Sequence, residues 1–184
     1  MTQSTAPTPA TTRAEVRPVP GSTGHLDAAF LADRAAIQDL VAAYSLAYDS
    51  GDFDALGDLF TEDASFTFTP APEGFPPSVT TRERIVHAMA ALYHHHTGTR
   101  GAHQRHLTTN TVVVRLDGTT AEARSLLSVC FALDDGTHEI GRSGSYVDLL
   151  EKDGQRWRIA SRHLWLRDLP RITAAAPDGP EEQE

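Results

Sequence analysis

The spacing of the apolar residues changes once along the chain, and this change restricts the fold more than any other feature. Over the first hundred residues most apolar side chains recur at intervals of three, four and seven, which predicts amphipathic helices. After Gly101 the interval becomes two, through four runs separated by turn sequences that contain Asp and Gly. Helices followed by hairpin-linked strands predict an α+β fold, with N-terminal helices packed in a strongly curved, mostly antiparallel sheet.

The individual elements can be placed from their start and stop signals. A long helix is expected to end near Asp49, and a short second helix has Asp52 as its N-cap. A third helix is expected to begin at the capping-box pair Thr80 and Glu83 and to fade near His94–His96. The predicted strands are Ala64–Thr69, Leu107–Leu116, Thr120–Leu133, His138–Leu150 and Arg156–Arg167. A sheet curled over helices leaves a hollow in which a small molecule can bind.

The two ends of the chain differ from its middle in composition. Residues 1–24 are rich in Pro and Thr, and residues 174–184 are acidic with Pro and Gly. Neither segment offers enough large apolar side chains to compensate the entropy of ordering. The 184 residues therefore predict one domain, from 25 to 173, between two disordered tails.

The net charge and the cysteine content indicate which kinds of binding partner and which cellular compartment to expect. The 16 Lys and Arg residues against 25 Asp and Glu give a net charge of −9, which disfavours nucleic acid and anionic membranes as partners. A single cysteine forms no intramolecular disulfide, and the sequence shows neither a membrane span nor a secretory signal. We therefore expect a soluble, cytoplasmic protein that binds a small-molecule substrate. The sequence lacks a glycine-rich phosphate-binding motif, so no cofactor is predicted.

Three segments resemble the SnoaL-like branch of the NTF2-like superfamily. They are Tyr44–Phe60, His106–Asn110 and Gly144–Ile159, and the resemblance extends over the whole folded unit. It implies an NTF2-like cone, in which helices fill a curved sheet. Members of this branch include scytalone dehydratase, bile-acid 7α-dehydratase, small polyketide cyclases and the β subunits of ring-hydroxylating dioxygenases. Because one fold serves many reactions, the resemblance implies the fold more strongly than the chemistry.

The resemblance to the dehydratases implies a catalytic Asp, His and Tyr. Asp49 matches the acid at the end of the first helix, His106 the histidine at the start of the second strand, and Tyr44 or Tyr48 the tyrosine. Removing a proton next to a carbonyl needs a base, a group that orients it and a donor for the oxyanion. We assign these roles to His106, to Asp49 and to Tyr44, with Tyr48 as the second choice.

Structural interpretations of the same residues remain open. His106 shares a strand face with Asn110, Val112 and Val114, which fits a cavity wall and equally a histidine buried in the core. An Asp followed by Ser and Gly is also ordinary helix-ending sequence. On a straight helix Tyr44 and Asp49 point about 140° apart, so they share a cavity only if the helix end points inward.

Further residues are predicted to line the site or are considered as metal ligands. The substrate-binding candidates are Tyr48, Phe66, Phe68, Asn110, Arg142, Tyr146, His163 and Trp165. Asp148 is expected to form a surface pair with Arg142 or Lys152. Adjacent helical residues point about 100° apart, so the His94–His96 run is not expected to bind one metal ion, and no metal is predicted.

These observations lead to one preferred function and three alternatives. The preferred function is a cofactor-free lyase or isomerase of the dehydratase type, acting on an apolar, oxygenated polyketide, terpenoid or steroid-like molecule. The first alternative is a polyketide or terpenoid cyclase of secondary metabolism with a carboxylate base such as Asp148. The second is a non-catalytic β subunit of a ring-hydroxylating dioxygenase, and the third is a ligand-binding module. Exposed sheet faces favour a homodimer or homotrimer.

Overall fold

A computed structural model of the chain describes residues 28–100, 103–133 and 136–168. Side chains are described throughout these ranges except at 98–100, 167 and 168. The predicted tails, both predicted domain boundaries and the predicted turn at Asp134-Asp135 lie outside the described residues.

The described residues form three helices and six strands in the order expected of an α+β fold. The helices are α1 (Ala28–Ser50), α2 (Phe53–Asp58) and α3 (Arg82–Arg100). The strands are β1 (Phe60–Thr69), β2 (Ser78–Thr80), β3 (His103–Asp117), β4 (Thr120–Ala132), β5 (His138–Asp153) and β6 (Arg156–Asp168). The predicted helices and the four long strands are confirmed, and β2 is an additional short strand that the sequence analysis did not predict.

Local backbone chemistry fixes where α1 ends. Gly51 has a φ of +71°, a conformation that favours glycine. Its N–H donates to the carbonyl of Tyr48, and the N–H of Asp52 donates to the carbonyl of Ala47. This pair of hydrogen bonds is a Schellman motif, which places Asp49 in the last turn of the helix.

The predicted N-cap of α2 is confirmed, whereas that of α3 is not. The Asp52 side chain accepts a hydrogen bond from the backbone N–H of Ala55, which confirms the predicted N-cap of α2. Thr80 instead belongs to β2, and Thr81 precedes α3 with a side chain that accepts from the N–H of Arg84. The predicted Thr80 cap is wrong by one residue. The expected fading near His94–His96 is also wrong, because α3 continues to Arg100.

The six strands form one curved, mixed sheet in the order β2-β1-β6-β5-β4-β3. All neighbouring strands pair antiparallel except β1 and β6, which are parallel. The helices pack inside the sheet, and the core contains the fully buried side chains of Ile37, Leu56, Phe60, Ile85, Val113 and Ile159. A mostly antiparallel sheet over N-terminal helices is therefore confirmed, with one parallel pair.

Irregularities in β3 and β6 change which residues of these strands face the interior. In β3 the register shifts between Thr109 and Val112, next to Asn110 with a φ of +53°. The buried position after this β-bulge is Val113, so the predicted continuous face through Asn110 and Val112 is wrong. In β6 the register shifts by one residue opposite Leu149 and Leu150.

A polar cluster joins the start of α1 to the last hairpin. One oxygen of the Asp33 carboxylate accepts a hydrogen bond from Lys152 Nζ at 2.6 Å and another from Trp157 Nε1 at 3.0 Å. The hydrogen bond from Lys152, and to a smaller extent the one from Trp157, lowers the pKa of Asp33 from its ordinary value.

Within the described residues, no helix combines the length and apolar character that a bilayer span requires.

Replacing Asp33 with Asn should lower the free energy of unfolding by about 1 kcal/mol at neutral pH, because charge-assisted hydrogen bonds are lost. Since the folded-state pKa of Asp33 is depressed, its stabilisation is present above the unfolded pKa of about 4 and disappears as the pH falls through the folded value. Urea denaturation across this range measures the difference. Asp39→Asn, an exposed change on the same helix, should have no comparable effect.

Candidate functional site

A cavity of about 60 Å³ lies inside the cone, between α1, α3 and the inner face of the sheet. Its polar lining includes Tyr44, Tyr48, Gln104, His106 and Arg142. Its apolar lining includes Phe68, Leu127, Val129, Phe131, Leu164 and Leu166. A mostly apolar cavity with a few polar groups is typical of a small-molecule site.

Asp49 and His106 form a two-point contact at the edge of this cavity. Asp49 Oδ1 lies 2.6 Å from His106 Nδ1, and Asp49 Oδ2 accepts a hydrogen bond from the backbone N–H of His106 at 2.7 Å. The side chains are only 12% exposed for His106 and 10% exposed for Asp49. The same carboxylate therefore fixes both the strand position and the ring orientation of the histidine.

The local folding of both elements explains how two residues distant in sequence meet. β3 is an edge strand, so some of its backbone N–H groups have no partner strand, and Asp49 satisfies that of His106. Ser45 and Thr108, whose hydroxyl oxygens lie 2.6 Å apart, hold the same helix and strand together one turn earlier. A carboxylate in the last turn of a helix is disfavoured by the helix dipole, and these hydrogen bonds offset that effect.

The contact determines the protonation pattern of the imidazole ring. A carboxylate accepts hydrogen bonds only, so Asp49 selects the tautomer with the proton on Nδ1 and leaves Nε2 as the basic nitrogen. When Nε2 takes up a proton, the adjacent carboxylate stabilises the resulting imidazolium. The geometry therefore provides a histidine base with a fixed tautomer.

Two tyrosines lie beside the histidine. The Tyr48 ring packs edge-on against the His106 ring with 4.9 Å between centroids. The Tyr44 hydroxyl donates to the sulfur of Met89 at 3.2 Å, a weak acceptor. Burial raises the pKa of both tyrosines above the ordinary value, so their hydroxyl groups stay protonated and act as donors.

A buried ion pair that the sequence analysis missed supports the floor of the site. Asp148 and Arg162 are both fully buried and form two hydrogen bonds of 2.7 and 2.8 Å. The guanidinium carbon of Arg162 lies 4.1 Å from the ring centroid of Tyr44 and 4.3 Å from that of Tyr146. Burial opposes the charge of Arg162, but Asp148 keeps its pKa above the ordinary value. The predicted surface pairing of Asp148 with Arg142 or Lys152 is wrong.

The irregularity in β6 explains why this pair was missed. Asp153 pairs with Arg156 at the hairpin turn, so a regular hairpin would place Ser161 opposite Asp148. The register shift adds one residue to β6 and brings Arg162 into that position. The pairing thus depends on a bulge that the alternating pattern does not signal.

The other predicted binding residues fall into two groups. Phe68, Arg142 and Tyr146 line the cavity. Phe66 is buried against Tyr44, with 6.1 Å between ring centroids, and does not line the cavity.

Like Phe66, three further predicted binding residues do not line the cavity. Asn110 is exposed at the β3 bulge. His163 and Trp165 stack with 4.3 Å between ring centroids, and His163 Nε2 lies 2.9 Å from Thr69 Oγ1. Trp165 is 45% exposed, because the extra residue in β6 turns it to the outer face. These three positions were assigned to the wrong face.

Gln104 is a cavity residue that the sequence analysis did not propose. It precedes His106 by two positions on the same face of β3 and is buried. The alternation of strand faces from His106 back toward the start of β3 is the signal that would have found it.

Among the described residues, no group of three or more His, Cys, Asp or Glu side chains is arranged to hold a metal ion.

Comparison with known proteins adds a family to this geometry. Residues 29–163 match the model of the SnoaL-like domain. Among curated proteins none matches the sequence.

Solved structures with similar folds include proteins from two bacteria. Rv3472 of Mycobacterium tuberculosis, of unknown function, is 30% identical over 80% of this chain and 84% of that chain, with a TM-score of 0.60. An NTF2-like protein with a cystatin-like fold from Novosphingobium aromaticivorans is 26% identical over 83% and 95%, with a TM-score of 0.63. A candidate aromatic ring hydroxylase from the same organism is 26% identical over 76% and 94%, with a TM-score of 0.59.

Replacing Asp148 with Leu should lower the free energy of unfolding by about 3–5 kcal/mol, because Arg162 is left as an uncompensated buried charge. The double variant Asp148→Leu/Arg162→Met should recover most of this loss, since both charges are removed together. Guanidinium denaturation of the single and double variants measures the coupling. Additive losses in the double variant would contradict the buried pair as described.

The tautomer of His106 provides a second test. When the imidazole ring of His106 is neutral, long-range ¹H–¹⁵N correlation spectra should show its proton on Nδ1, because Asp49 accepts a hydrogen bond from that nitrogen. The Asp49→Asn variant should populate the other tautomer, since an amide also offers a donor. Exposed His94 should give the same spectrum in both proteins, and an Nε2-protonated His106 in the unchanged protein would refute the assignment.

Proposed function

The chain belongs to the SnoaL-like domain family, and we propose that it is an acid–base enzyme of the lyase or isomerase class with His106 as its base. One observation carries this proposal: the Asp49 carboxylate binds both the ring and the backbone of His106 beside a mostly apolar cavity. The carboxylate accepts one hydrogen bond from the ring of His106 and one from the backbone N–H of the same residue. Together these two contacts fix the ring in the orientation that a base requires.

The proposed reaction begins with proton abstraction. His106 Nε2 removes a proton from a carbon next to a carbonyl group, and the electron pair of the broken C–H bond moves to the carbonyl oxygen. A tyrosine hydroxyl donates a hydrogen bond to this oxyanion, while Asp49 stabilises the imidazolium. The proton on His106 then returns either to a leaving hydroxyl group, which departs as water, or to another carbon. The first outcome is dehydration and the second is isomerisation.

Both tyrosines suit the donor role through different contacts. Tyr48 lies beside His106, with 4.9 Å between ring centroids. Tyr44 is fixed by the guanidinium group of Arg162 against one face of its ring, and its hydroxyl has only a thioether as acceptor. A substrate oxygen is a better acceptor than a thioether, so Tyr44 can turn its hydrogen bond to the substrate without losing a strong partner.

The lining favours an apolar substrate with few oxygen atoms. Six apolar side chains on β1, β4 and β6 line the cavity together with Pro72 and Leu92, while the polar side chains come from α1, α3, β3 and β5. A polyketide, terpenoid or steroid-like skeleton has this distribution of polarity. We propose this substrate class on the lining alone.

The cyclase alternative has weaker support in the structure. Its proposed base, Asp148, is fully buried, is bound at both oxygens by Arg162 and does not line the cavity. A base must reach the proton that it removes. Cyclisation that uses His106 in place of Asp148 is compatible with the same site.

A non-catalytic role beside a larger subunit is the second candidate. It is favoured by exposed apolar side chains on the sheet, including Leu107, Leu126 and Trp165. Such a subunit would co-purify with its partner and have no reaction of its own. The predicted homodimer or homotrimer would cover the same kind of surface, and it stays a prediction.

The Kemp elimination of 5-nitrobenzisoxazole tests the base without knowledge of the natural substrate. In this reaction a base removes one carbon-bound proton while the N–O bond breaks. The protein should accelerate it over free imidazole, and His106→Ala should lower kcat/KM by about 10²-fold or more. Asp49→Asn should lower it by about tenfold or more, because the tautomer is no longer fixed.

His94→Ala is the matched control, because this histidine is exposed on α3 and does not line the cavity. It should leave the rate unchanged, and circular dichroism should show all three variants folded. Equal rates for the original protein and His106→Ala would refute His106 as the base.

A further inference from the structure

Apart from the basic nitrogen of His106, the polar side chains that line the cavity offer hydrogen-bond donors, and none of the described ones is a carboxylate. Among the described lining residues, the polar side chains are two tyrosines beside the base, Tyr146, Gln104, Arg142 and two histidines. The carboxylate nearest the base, Asp49, lies behind His106 and is occupied by it. A cavity that offers donors and a positive charge without a negative one is complementary to an anionic oxygen group.

Arg142 is the arginine of this lining and has no carboxylate partner among the residues whose side chains are described. The ion pairs formed between described side chains do not include Arg142. Arg142 and Phe131 both line the cavity, and the Phe131 ring fits against Gly141, where a Cβ would meet the ring at 2.6 Å. An arginine that faces a cavity without a counter-ion is available to a ligand, and its planar group binds both oxygens of a carboxylate.

The sheet register places Arg142 in line with the base. His106 pairs with Val129, and Val129 pairs with Arg142, so the three residues form one row across β3, β4 and β5. Directly opposite residues have Cα atoms about 5 Å apart, which separates His106 and Arg142 by about 10 Å. A small molecule lying across Val129 would present one end to each of them.

Gln104 supplies an independent observation. Its side chain is only 4% exposed, and its Nε2 group forms no hydrogen bond of good geometry with the described residues, although it lies close enough to the Tyr48 hydroxyl to affect the pKa of that group. It lines the same cavity and is the neighbour of His106 on the inner face of β3, two residues earlier in the strand. A buried donor without a good acceptor is unfavourable, so a ligand acceptor placed there would relieve that cost.

We propose that the cavity binds a carboxylate group of its substrate between the guanidinium group of Arg142 and the side-chain amide of Gln104. The substrate is then an apolar small-molecule acid, whose skeleton crosses Val129 and presents its reacting carbon to His106. This inference deepens the proposed function, because it names a group of the substrate bound at the same site.

Isothermal titration calorimetry with three matched pairs of probes tests the proposal: benzoate and benzamide, cinnamate and cinnamamide, 2-naphthoate and 2-naphthamide. In at least one pair the carboxylate should bind about tenfold or more tightly than the amide, as expected for a charge-assisted contact. Arg142→Met should remove this preference. Arg142→Lys should keep part of it, because the charge remains while the planar double contact is lost.

Gln104→Leu should weaken carboxylate binding about three- to tenfold and leave the preference of the Arg142 site in place. Arg84→Met is the control of equal charge change, since Arg84 is exposed on α3 and does not line the cavity. It should alter neither affinity. A lack of carboxylate preference in all three pairs, or an equal loss in Arg84→Met, would overturn the proposal.

The same samples separate this inference from the proposed function. A carboxylate preference without Kemp activity would refute His106 as the base and support the carboxylate site. Kemp activity lost in His106→Ala, with no carboxylate preference in the unchanged protein, would support the base and refute the carboxylate site.

Discussion

The two hydrogen bonds that Asp49 accepts from His106 join the end of a helix to the edge of the sheet, and the candidate site depends on this junction. The carboxylate sits where the helix dipole is unfavourable for it, and the backbone N–H it satisfies belongs to an edge strand. Both groups are therefore stabilised mainly by each other. The Schellman motif at Gly51 stops the helix immediately afterwards, which keeps Asp49 in the turn that faces β3.

A second constraint acts from the floor of the cone. Arg162 is held by Asp148 and packs against the rings of Tyr44 and Tyr146, so a buried charge orients two of the aromatic walls of the cavity. Burying such an ion pair costs free energy, and its role here is to hold the Tyr44 ring in place. Only the hydroxyl hydrogen of Tyr44 can then rotate between acceptors. The site thus has a mobile proton donor on a fixed ring beside a base with a fixed tautomer.

Much of this arrangement could be predicted from local patterns and family resemblance. The order of helices and long strands follows from the change of period, whereas the roles of Asp49 and His106 are implied by the resemblance to the dehydratases. Residues beyond each bulge were assigned to the wrong face. Asn110, His163 and Trp165 were predicted to line the site and do not, whereas Arg162 and Gln104 were overlooked. One inserted residue reverses every later side chain of a strand, and apolar spacing alone does not reveal it.

The sequence by itself determined the fold class, the helix cap at Asp52, the long strands and the residue types available for acid–base chemistry. These depend on interactions between near neighbours, such as hydrophobic periodicity and turn chemistry, which are readable along the chain. Only the tertiary structure decided that Asp49 reaches His106, that Asp148 pairs with Arg162 and that Arg142 stands in one row with the base. Each of these contacts joins residues from different elements, and its existence depends on strand register and bulges that no local pattern encodes.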